Sequence, residues 1–155
     1  MVDPGAIVQQ LNRAGVEYVI IGGVAATLHG CPEQTLDLDI IYAPTPANRS
    51  RLLTALEAIG AEWDRPLNDE ILQHQTVFSL NTKHGDLDVF TRILGLDDYA
   101  SAAAAADIVT LEDAPVKVLN LPVLIATKEA AADPNPRKRA TLDFLKELRR
   151  RAGNS

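Results

Sequence analysis

The apolar residues of this chain recur with two periods, one typical of helices and one typical of strands. Ile7, Val8 and Leu11 have the helical spacing, whereas β-branched and aromatic runs such as 17–21 are typical of strands. The pattern predicts helices at 4–14, 24–28, 46–59, 97–106, 122–132 and 136–150. It predicts strands at 17–21, 36–42, 75–80, 87–91, 108–111 and 116–119. This order indicates an α/β (α+β) class with a small mixed sheet and a C-terminal helical pair.

Residues 61–72 follow neither period clearly. They include Trp63, the single tryptophan of the chain, among mixed polar and apolar positions. We expect a short strand there, followed by an exposed loop. The next two predicted strands flank residues 81–86, which are typical of a hairpin connection because a glycine lies near their end.

The length of 155 residues suits one domain, and 46% hydrophobic with 23% charged residues is ordinary globular usage. We expect a single domain over 1–155, with a sheet core at 1–120 and a helical pair at 121–155 packed on it. No apolar run is long enough for a membrane span, and the N-terminus lacks the regions of a signal peptide. We therefore expect a cytoplasmic protein without a membrane partner. The single cysteine, Cys31, excludes an internal disulfide.

The net charge of −6 is unevenly distributed along the chain. Residues 1–127 carry a net charge of −10, whereas residues 128–155 carry +4. A basic C-terminal end can follow the phosphates of an RNA backbone. A solvated basic helix face gives the same pattern, and on the sequence alone we favour that interpretation.

Two aspartates lie inside an apolar strand. Asp37 and Asp39 are two residues apart and therefore point to the same side of the predicted strand, where their charges repel. A divalent cation would turn this repulsion into coordination, because hard cations take carboxylate oxygens. Asp88 supplies a third acid within another apolar strand. Asp86 is the rival choice, but it adjoins a glycine turn, so we favour Asp88.

The pair Gly22-Gly23 stands between a predicted strand and a short helix. Backbone amides at a helix N-terminus bind phosphate when no side chain blocks the approach. Many glycine pairs only turn the chain, so the pair is weak evidence by itself. Its proximity to the Asp37 motif suggests that phosphates and metal ions gather at neighbouring strand ends.

The combination of Gly-Gly, Asp-x-Asp and a distant strand aspartate resembles the nucleotidyltransferase superfold with its DNA polymerase β-like palm. More closely, residues 15–30, Thr-Leu-Asp-Leu-Asp at 35–39 and Leu-Ile-Ala-Thr-Lys at 124–128 resemble the AbiEii/AbiGii-type, MenT-like nucleotidyltransferase family of toxin–antitoxin systems. The resemblance covers nearly the whole chain and implies a Mg²⁺ or Mn²⁺ site. The implied residues are Asp37, Asp39 and Asp88 for the metal, the same three with Lys128 for catalysis, and Gly22, Gly23 and Lys128 for the nucleotide.

Two segments depart from the pattern of this family. The family often has a basic residue shortly before the acid motif, around the place where this chain has Glu33 and Gln34. It also tends to have an Arg-Pro-Lys-Asp-like segment followed by a further acid. Arg139 stands where the first of these acids would be, and Asp143 fits the later one.

The resemblance implies that an NMP moves from an NTP to an acceptor hydroxyl with release of pyrophosphate. The acceptor would be an RNA such as tRNA, and the protein would be a bacterial toxin with a cognate antitoxin. Two alternatives stay open: a small-molecule or protein acceptor, and a degenerate member that binds nucleotide or a partner without catalysis. Retention of all three acids counts against the last, because an unpaired acid triad destabilises the fold.

Overall fold

A computed structural model describes residues 1–32 and 34–153. Over these residues, six strands form one mixed sheet in the order β3-β4-β2-β1-β6-β5. Neighbours in sequence pair antiparallel (β1 with β2, β3 with β4, β5 with β6), whereas β2 pairs with β4, and β1 with β6, in parallel. The strands are β1 Tyr18–Ile21, β2 Asp37–Tyr42, β3 Val77–Thr82, β4 Gly85–Phe90, β5 Ala106–Leu111 and β6 Ala114–Leu119.

Most of the seven helices formed by the described residues begin at favourable capping residues. Side-chain oxygens of the residues preceding α1, α3, α4, α5 and α6 accept a hydrogen bond from a backbone amide of the first turn. Proline occupies one of the first positions of α1, α3 and α6, where its missing N–H removes no helical hydrogen bond. The helices are α1 Pro4–Arg13, α2 Gly22–Leu28, α3 Pro46–Ala58, α4 Asp69–His74, α5 Tyr99–Ala104, α6 Leu121–Ala131 and α7 Pro136–Gly153.

Strand β1 is buried along its whole length, and a large part of the core lies on one face of the β3-β4-β2 part of the sheet. Alternate residues of these strands are almost completely buried, and they share one cluster with apolar residues of α1 and α3. Their neighbours along the strands face the other way and are exposed or half-buried, except Ile41, which is fully buried. The buried residues of this face are Leu38, Ile40, Tyr42, Phe78, Leu80, Leu87 and Val89.

The mixed α/β class predicted from the sequence is confirmed, and each predicted helix and strand is present except the short strand expected within residues 61–72. The observed ends of these elements differ from the predicted ends by no more than three residues. The alanine-rich helix is shorter than the predicted 97–106, because Asp98 rather than Asp97 caps it and Ala106 pairs with Leu119 in the hairpin. Strand pairing therefore overrides the helix propensity of alanine at the end of this run.

The prediction for residues 61–72, a short strand followed by an exposed loop, was right only for the loop, which covers residues 63–68. The expected strand is a single bridge between Glu62 and Asn81, and helix α4 replaces the last part of the expected loop, from Asp69 onwards. Asn68 caps α4 by accepting a hydrogen bond from the amide of Ile71 at 2.9 Å. Two acids follow in the first turn, where they favour a helix N-terminus. This Asn-Asp-Glu signal was present in the sequence.

Helices α6 and α7 pack against each other. The division of the chain into a core at 1–120 and a helical pair at 121–155 stays a prediction. None of the helices formed by the described residues combines the length and the apolar character needed to cross a bilayer.

Candidate active site

Three carboxylates meet where β2 and β4 run side by side. The two strands are parallel, and their register places Asp37 beside Asp86 and Asp39 beside Asp88. Each of Asp37, Asp39 and Asp88 offers an oxygen, and these oxygens all lie within 4.8 Å of one another. The three residues are half-buried, whereas Asp86 is exposed. Within the described residues the cluster therefore contains Asp88 and not its rival, as the sequence predicts.

Burial and mutual repulsion make this cluster difficult to ionise. Burial is the main cause that raises the pKa of Asp39 to about 8, and the charges of Asp37 and Asp88 raise it further. Burial likewise raises the pKa of Asp37 to about 6, together with a hydrogen bond to Asp88 and its charge. A bound cation would relieve this repulsion.

The donor set fits a hard divalent cation. Oδ1 of Asp39 is buried and has no hydrogen-bond partner among the described residues. A buried carboxylate oxygen without a partner is unfavourable unless a ligand satisfies it. Three convergent carboxylates can supply oxygen ligands to Mg²⁺, which usually completes its shell with water and substrate phosphates.

The two glycines are the first two residues of α2, and not a separate turn before it. Gly22 has a φ of +69°, and a Cβ there would lie 2.2 Å from Oδ2 of Asp39. A Cβ on Gly23 would lie 2.9 Å from the side chain of Thr35. Ile21 pairs with Asp39 across β1 and β2, so the strand register brings α2 to the acids. Both the conformation and the available space therefore require glycine at position 22.

The start of α2 leaves backbone amides free of side-chain caps. Among the described residues, no side chain forms a capping hydrogen bond at its N-cap, Ile21. The first amides of a helix have no intrahelical partner. The pairing of Ile21 with Asp39 places this helix start beside the carboxylates, where the phosphate-binding interpretation expects it.

A cleft of about 910 Å³ opens from Gly22 and Asp39. This volume is within the usual range for small-molecule sites. The cleft continues past β3 and β4 to the C-terminal end of α6 and the N-terminal end of α7. Its cations are Arg92, Lys128, Lys138 and Arg139. Its apolar lining includes Val77, Phe90, Ile93 and Leu142.

The structure brings together most of the residues singled out from the sequence. Lys128 lines the same cleft as Asp39 and Gly22. Arg139 lines it as well, whereas Asp143 is exposed on α7. The catalytic, nucleotide and metal roles of these residues stay predictions.

The segment before the acid motif contacts the start of α7. The carbonyl of Gln34 accepts a hydrogen bond from the guanidinium of Arg137 at 3.5 Å. Gln34 is exposed, and Glu33 lies outside the described residues. The sequence placed these two segments apart, so their contact was not expected.

Sequence reasoning missed Lys138 and Arg92 as residues of this cleft. It grouped Lys138 with the basic C-terminal residues and gave Arg92 no role. A detectable signal for Lys138 was its place in the first turn of a predicted helix, where acids are the favoured residues.

Several cations of the C-terminal end form ion pairs within the chain. The Nζ of Lys138 lies 3.5 Å from Asp133, and the Nζ of Lys146 lies 3.9 Å from Glu129. Arg150 and Arg151 both contact Glu147. Such exposed pairs contribute little to stability, but they reduce the positive potential of this surface.

The comparisons with known proteins concern the fold. No protein-family model matches the chain, and no curated protein matches it. The lincosamide antibiotic adenylyltransferase LnuA, solved with lincomycin bound, is similar in structure with a TM-score of 0.67 and 14% identity, over 92% of this chain and 94% of that one. ANT(2'')-Ia, solved in complex with adenylyl-2''-tobramycin, gives a TM-score of 0.60 and 14% identity, over 98% and 99%.

A candidate nucleotidyltransferase from Thermotoga maritima is also similar, with a TM-score of 0.58 and 14% identity, over 100% of this chain and 97% of that one. The chain therefore has the nucleotidyltransferase fold. This result confirms the superfold predicted from the sequence.

Proposed function

We propose that this chain is an enzyme that transfers an NMP from an NTP to an acceptor hydroxyl. The observation that carries the proposal is the convergence of Asp37, Asp39 and Asp88 beside Gly22, at the end of a cleft in a nucleotidyltransferase fold. The acceptor oxygen would form a bond to the α-phosphorus. The bond from the α-phosphorus to the bridging oxygen would break, and pyrophosphate would leave.

The three aspartates would hold Mg²⁺, or Mn²⁺ in its place. When bound, the metal supplies polarisation of the α-phosphoryl group and acidifies the acceptor hydroxyl. Asp88 would take the proton of that hydroxyl. The absence of a side chain at Gly22 and Gly23 would let the phosphates approach the amides of α2.

Lys128 would neutralise charge that develops on the phosphates. It extends from α6 into the cleft that begins at Asp39. Preorganised cations near a reacting phosphoryl group stabilise the transition state. Most of the support for this role of Lys128 comes from the resemblance to the AbiEii/AbiGii-type family.

The same resemblance supports a toxin of a toxin–antitoxin pair that modifies an RNA such as tRNA. In that case the C-terminal cations would hold the RNA backbone, and a cognate antitoxin would be a further partner. The resemblance of residues 15–30, 35–39 and 124–128 to this family, which no family model supports, is the basis of this part of the proposal.

A small-molecule acceptor is the second candidate, and two observations favour it. The cleft has the volume of a small-molecule site, and much of the basic end is paired with acids of the same chain. LnuA was solved with lincomycin, and ANT(2'')-Ia with an adenylylated aminoglycoside. Both are similar to this chain over nearly its whole length.

The experiment follows the label from each of the four NTPs, labelled at the α-phosphate. The purified chain is incubated with Mg²⁺, with and without total tRNA, and with a panel of hydroxyl-bearing antibiotics. We expect label in one acceptor class, and none with Asp37→Asn or Asp39→Asn. Label in RNA supports the toxin interpretation, whereas label in a small molecule supports the second candidate.

The matched control is Asp107→Asn, an exposed aspartate on the edge strand β5. It removes the same charge outside the cluster and should keep full activity. Absence of label in every acceptor, with no binding of NTP or Mg²⁺ by calorimetry, would favour the non-catalytic, partner-binding alternative.

A further inference from the structure

Helix α7 begins with three consecutive cations, Arg137, Lys138 and Arg139, and has no acid in its first turn. The N-terminus of a helix carries partial positive charge, so cations there are unfavourable and acids are preferred. This arrangement therefore opposes the stability of an 18-residue helix. A role outside the helix would explain why positive charge is placed at this end.

Local contacts hold the start of α7 in place. Oδ1 of Asp133 accepts a hydrogen bond from the amide of Asn135 at 2.9 Å, and Oδ2 lies 3.5 Å from the Nζ of Lys138. Asn135 in turn accepts a hydrogen bond from the amide of Arg137 at 2.9 Å. Asp133 thus orients both the helix start and the ammonium group of Lys138.

Lys138 and the acid cluster belong to the same cleft. Burial and the neighbouring carboxyls raise the pKa of Asp37 and Asp39, and the positive charge of Lys138 acts against this rise in both residues. The lysine therefore lies within electrostatic range of two carboxylates of the cluster.

A cation in this position must act with opposite sign on the two ligands of the site. It repels a divalent metal ion that enters the carboxylate cluster alone. It attracts the polyphosphate of a nucleotide, and an ammonium group forms charge-assisted hydrogen bonds with phosphate oxygens. The effect of Lys138 on metal and on nucleotide can thus be separated.

We propose that Lys138 binds the polyphosphate of the nucleoside triphosphate, in addition to Lys128, and that Asp133 holds the lysine in position before the nucleotide enters. This inference rests on the proposed nucleotidyltransferase function and names a further substrate-binding residue of that site. The start of α7 then serves as the wall of the cleft that receives the phosphates, which explains the cations at Lys138 and Arg139.

Calorimetry on the full chain tests this proposal with Lys138→Ala, Lys138→Arg and the control Lys146→Ala. Lys146 is also on α7 and pairs with Glu129, but it lines a different surface depression. The probes are Mg²⁺ alone and, with Mg²⁺ present, the NTP that the wild type binds best, followed by its diphosphate, monophosphate and nucleoside.

We expect Lys138→Ala to weaken NTP binding by about 10-fold or more, as loss of a hydrogen bond to a charged group does. The loss should shrink with each phosphate removed and vanish for the nucleoside. Lys138→Arg should restore most of the affinity, and Lys146→Ala should bind like the wild type. The affinity of Lys138→Ala for Mg²⁺ alone should stay the same or rise.

The possible failures are distinguishable. If the wild type binds NTP and Lys138→Ala binds it equally well, the role of Lys138 is wrong and the proposed function stands. Loss of both Mg²⁺ and NTP binding in Lys138→Ala would indicate a structural role and would also overturn the inference. If the wild type binds none of the four NTPs, the proposed function fails, and this inference fails with it.

Discussion

The two faces of the β2–β4 pair differ sharply although they share one backbone. On one face, Leu38, Ile40, Leu87 and Val89 are almost completely buried. On the other, alternate residues carry the carboxylates that repel one another. The buried face holds the strands together, and this lets the opposite face keep a charge arrangement that would separate an isolated pair. At the end of the strand pair that carries the acids, stability and the proposed chemistry are thus divided between the two faces, whereas Ile41 further along the acid face is buried.

The largest effect is expected for Asp39→Asn on the acid face. Loss of a direct metal ligand should reduce transferase activity by more than about 100-fold, since loss of an outer-shell partner of a metal site already costs about 10- to 100-fold. The metal-free variant should melt at a higher temperature than the metal-free wild type at pH 8, because a buried charge is removed. Steady-state kinetics and thermal unfolding measure the two effects. A lower melting temperature would contradict the division between faces.

The core face responds in the opposite way to Leu38→Ala. We expect a loss of about 2–5 kcal/mol in the free energy of unfolding, because a fully buried leucine is replaced by a cavity. Residual activity should follow the fraction of folded protein, as denaturant titration at several temperatures would show. The control is Val77→Ala, which truncates a 44% exposed side chain on β3 and should change stability by no more than about 0.5 kcal/mol. Equal losses of unfolding free energy in Leu38→Ala and Val77→Ala would contradict the idea that the buried face supplies the stability of these strands.

Gly22→Ala tests the contact between the start of α2 and the acid face, because Gly22 lies against the carboxylate of Asp39. The new Cβ would compete with Oδ2 of Asp39, and the φ of +69° is strained for alanine. We expect a loss of about 1–3 kcal/mol in stability together with weaker Mg²⁺ binding. Gly60→Ala is the matched control, because its φ is +64° and its Cβ would make only an ordinary contact at 3.9 Å. Gly60→Ala should lose stability through backbone strain alone, and its affinity for Mg²⁺ should equal that of the wild type.

The smallest effect is a pH dependence of the metal-free protein. The folded-state pKa is raised to about 8 for Asp39 and to about 6 for Asp37, mainly by burial. Folded protein thus binds more protons than unfolded protein above about pH 4, and stability is lost as the pH rises through these values. Thermal unfolding between pH 5 and pH 8 should show this decline, and Asp39→Asn should flatten it. Mg²⁺ should raise the melting temperature more at pH 8 than at pH 5.

The sequence was informative where a local pattern and the site coincide. Asp37 and Asp39 share a face because strands repeat every two residues, and Asp88 was preferred because apolar residues flank it. The sequence indicated one reason for glycine at position 22, the approach of phosphate to the backbone. It did not indicate the second, the lack of space beside Asp39, because that contact depends on the pairing of β1 with β2. Glycine at position 22 therefore has two explanations: it leaves the backbone open to phosphate, and it leaves room for the side chain of Asp39.

The cleft was not visible in the sequence, because distant segments form its walls. Lys138 reaches it through the turn between α6 and α7, in which Ala132 has a φ of +48°. No propensity of alanine predicts that conformation. Helix α4, in contrast, was missed although its cap was local, because its six residues are too few to show a clear period.

The in-register pairing of β2 with β4 has a consequence for how the chain folds. A slip of either strand by one residue would turn its aspartates into the hydrophobic core and its leucines to the surface. Burial of unpaired carboxylates is among the most unfavourable events in folding. The acids that repel one another in the folded site therefore also destabilise sheets with a misaligned register. Molecules that complete the hydrophobic core consequently have the aspartates in the correct place.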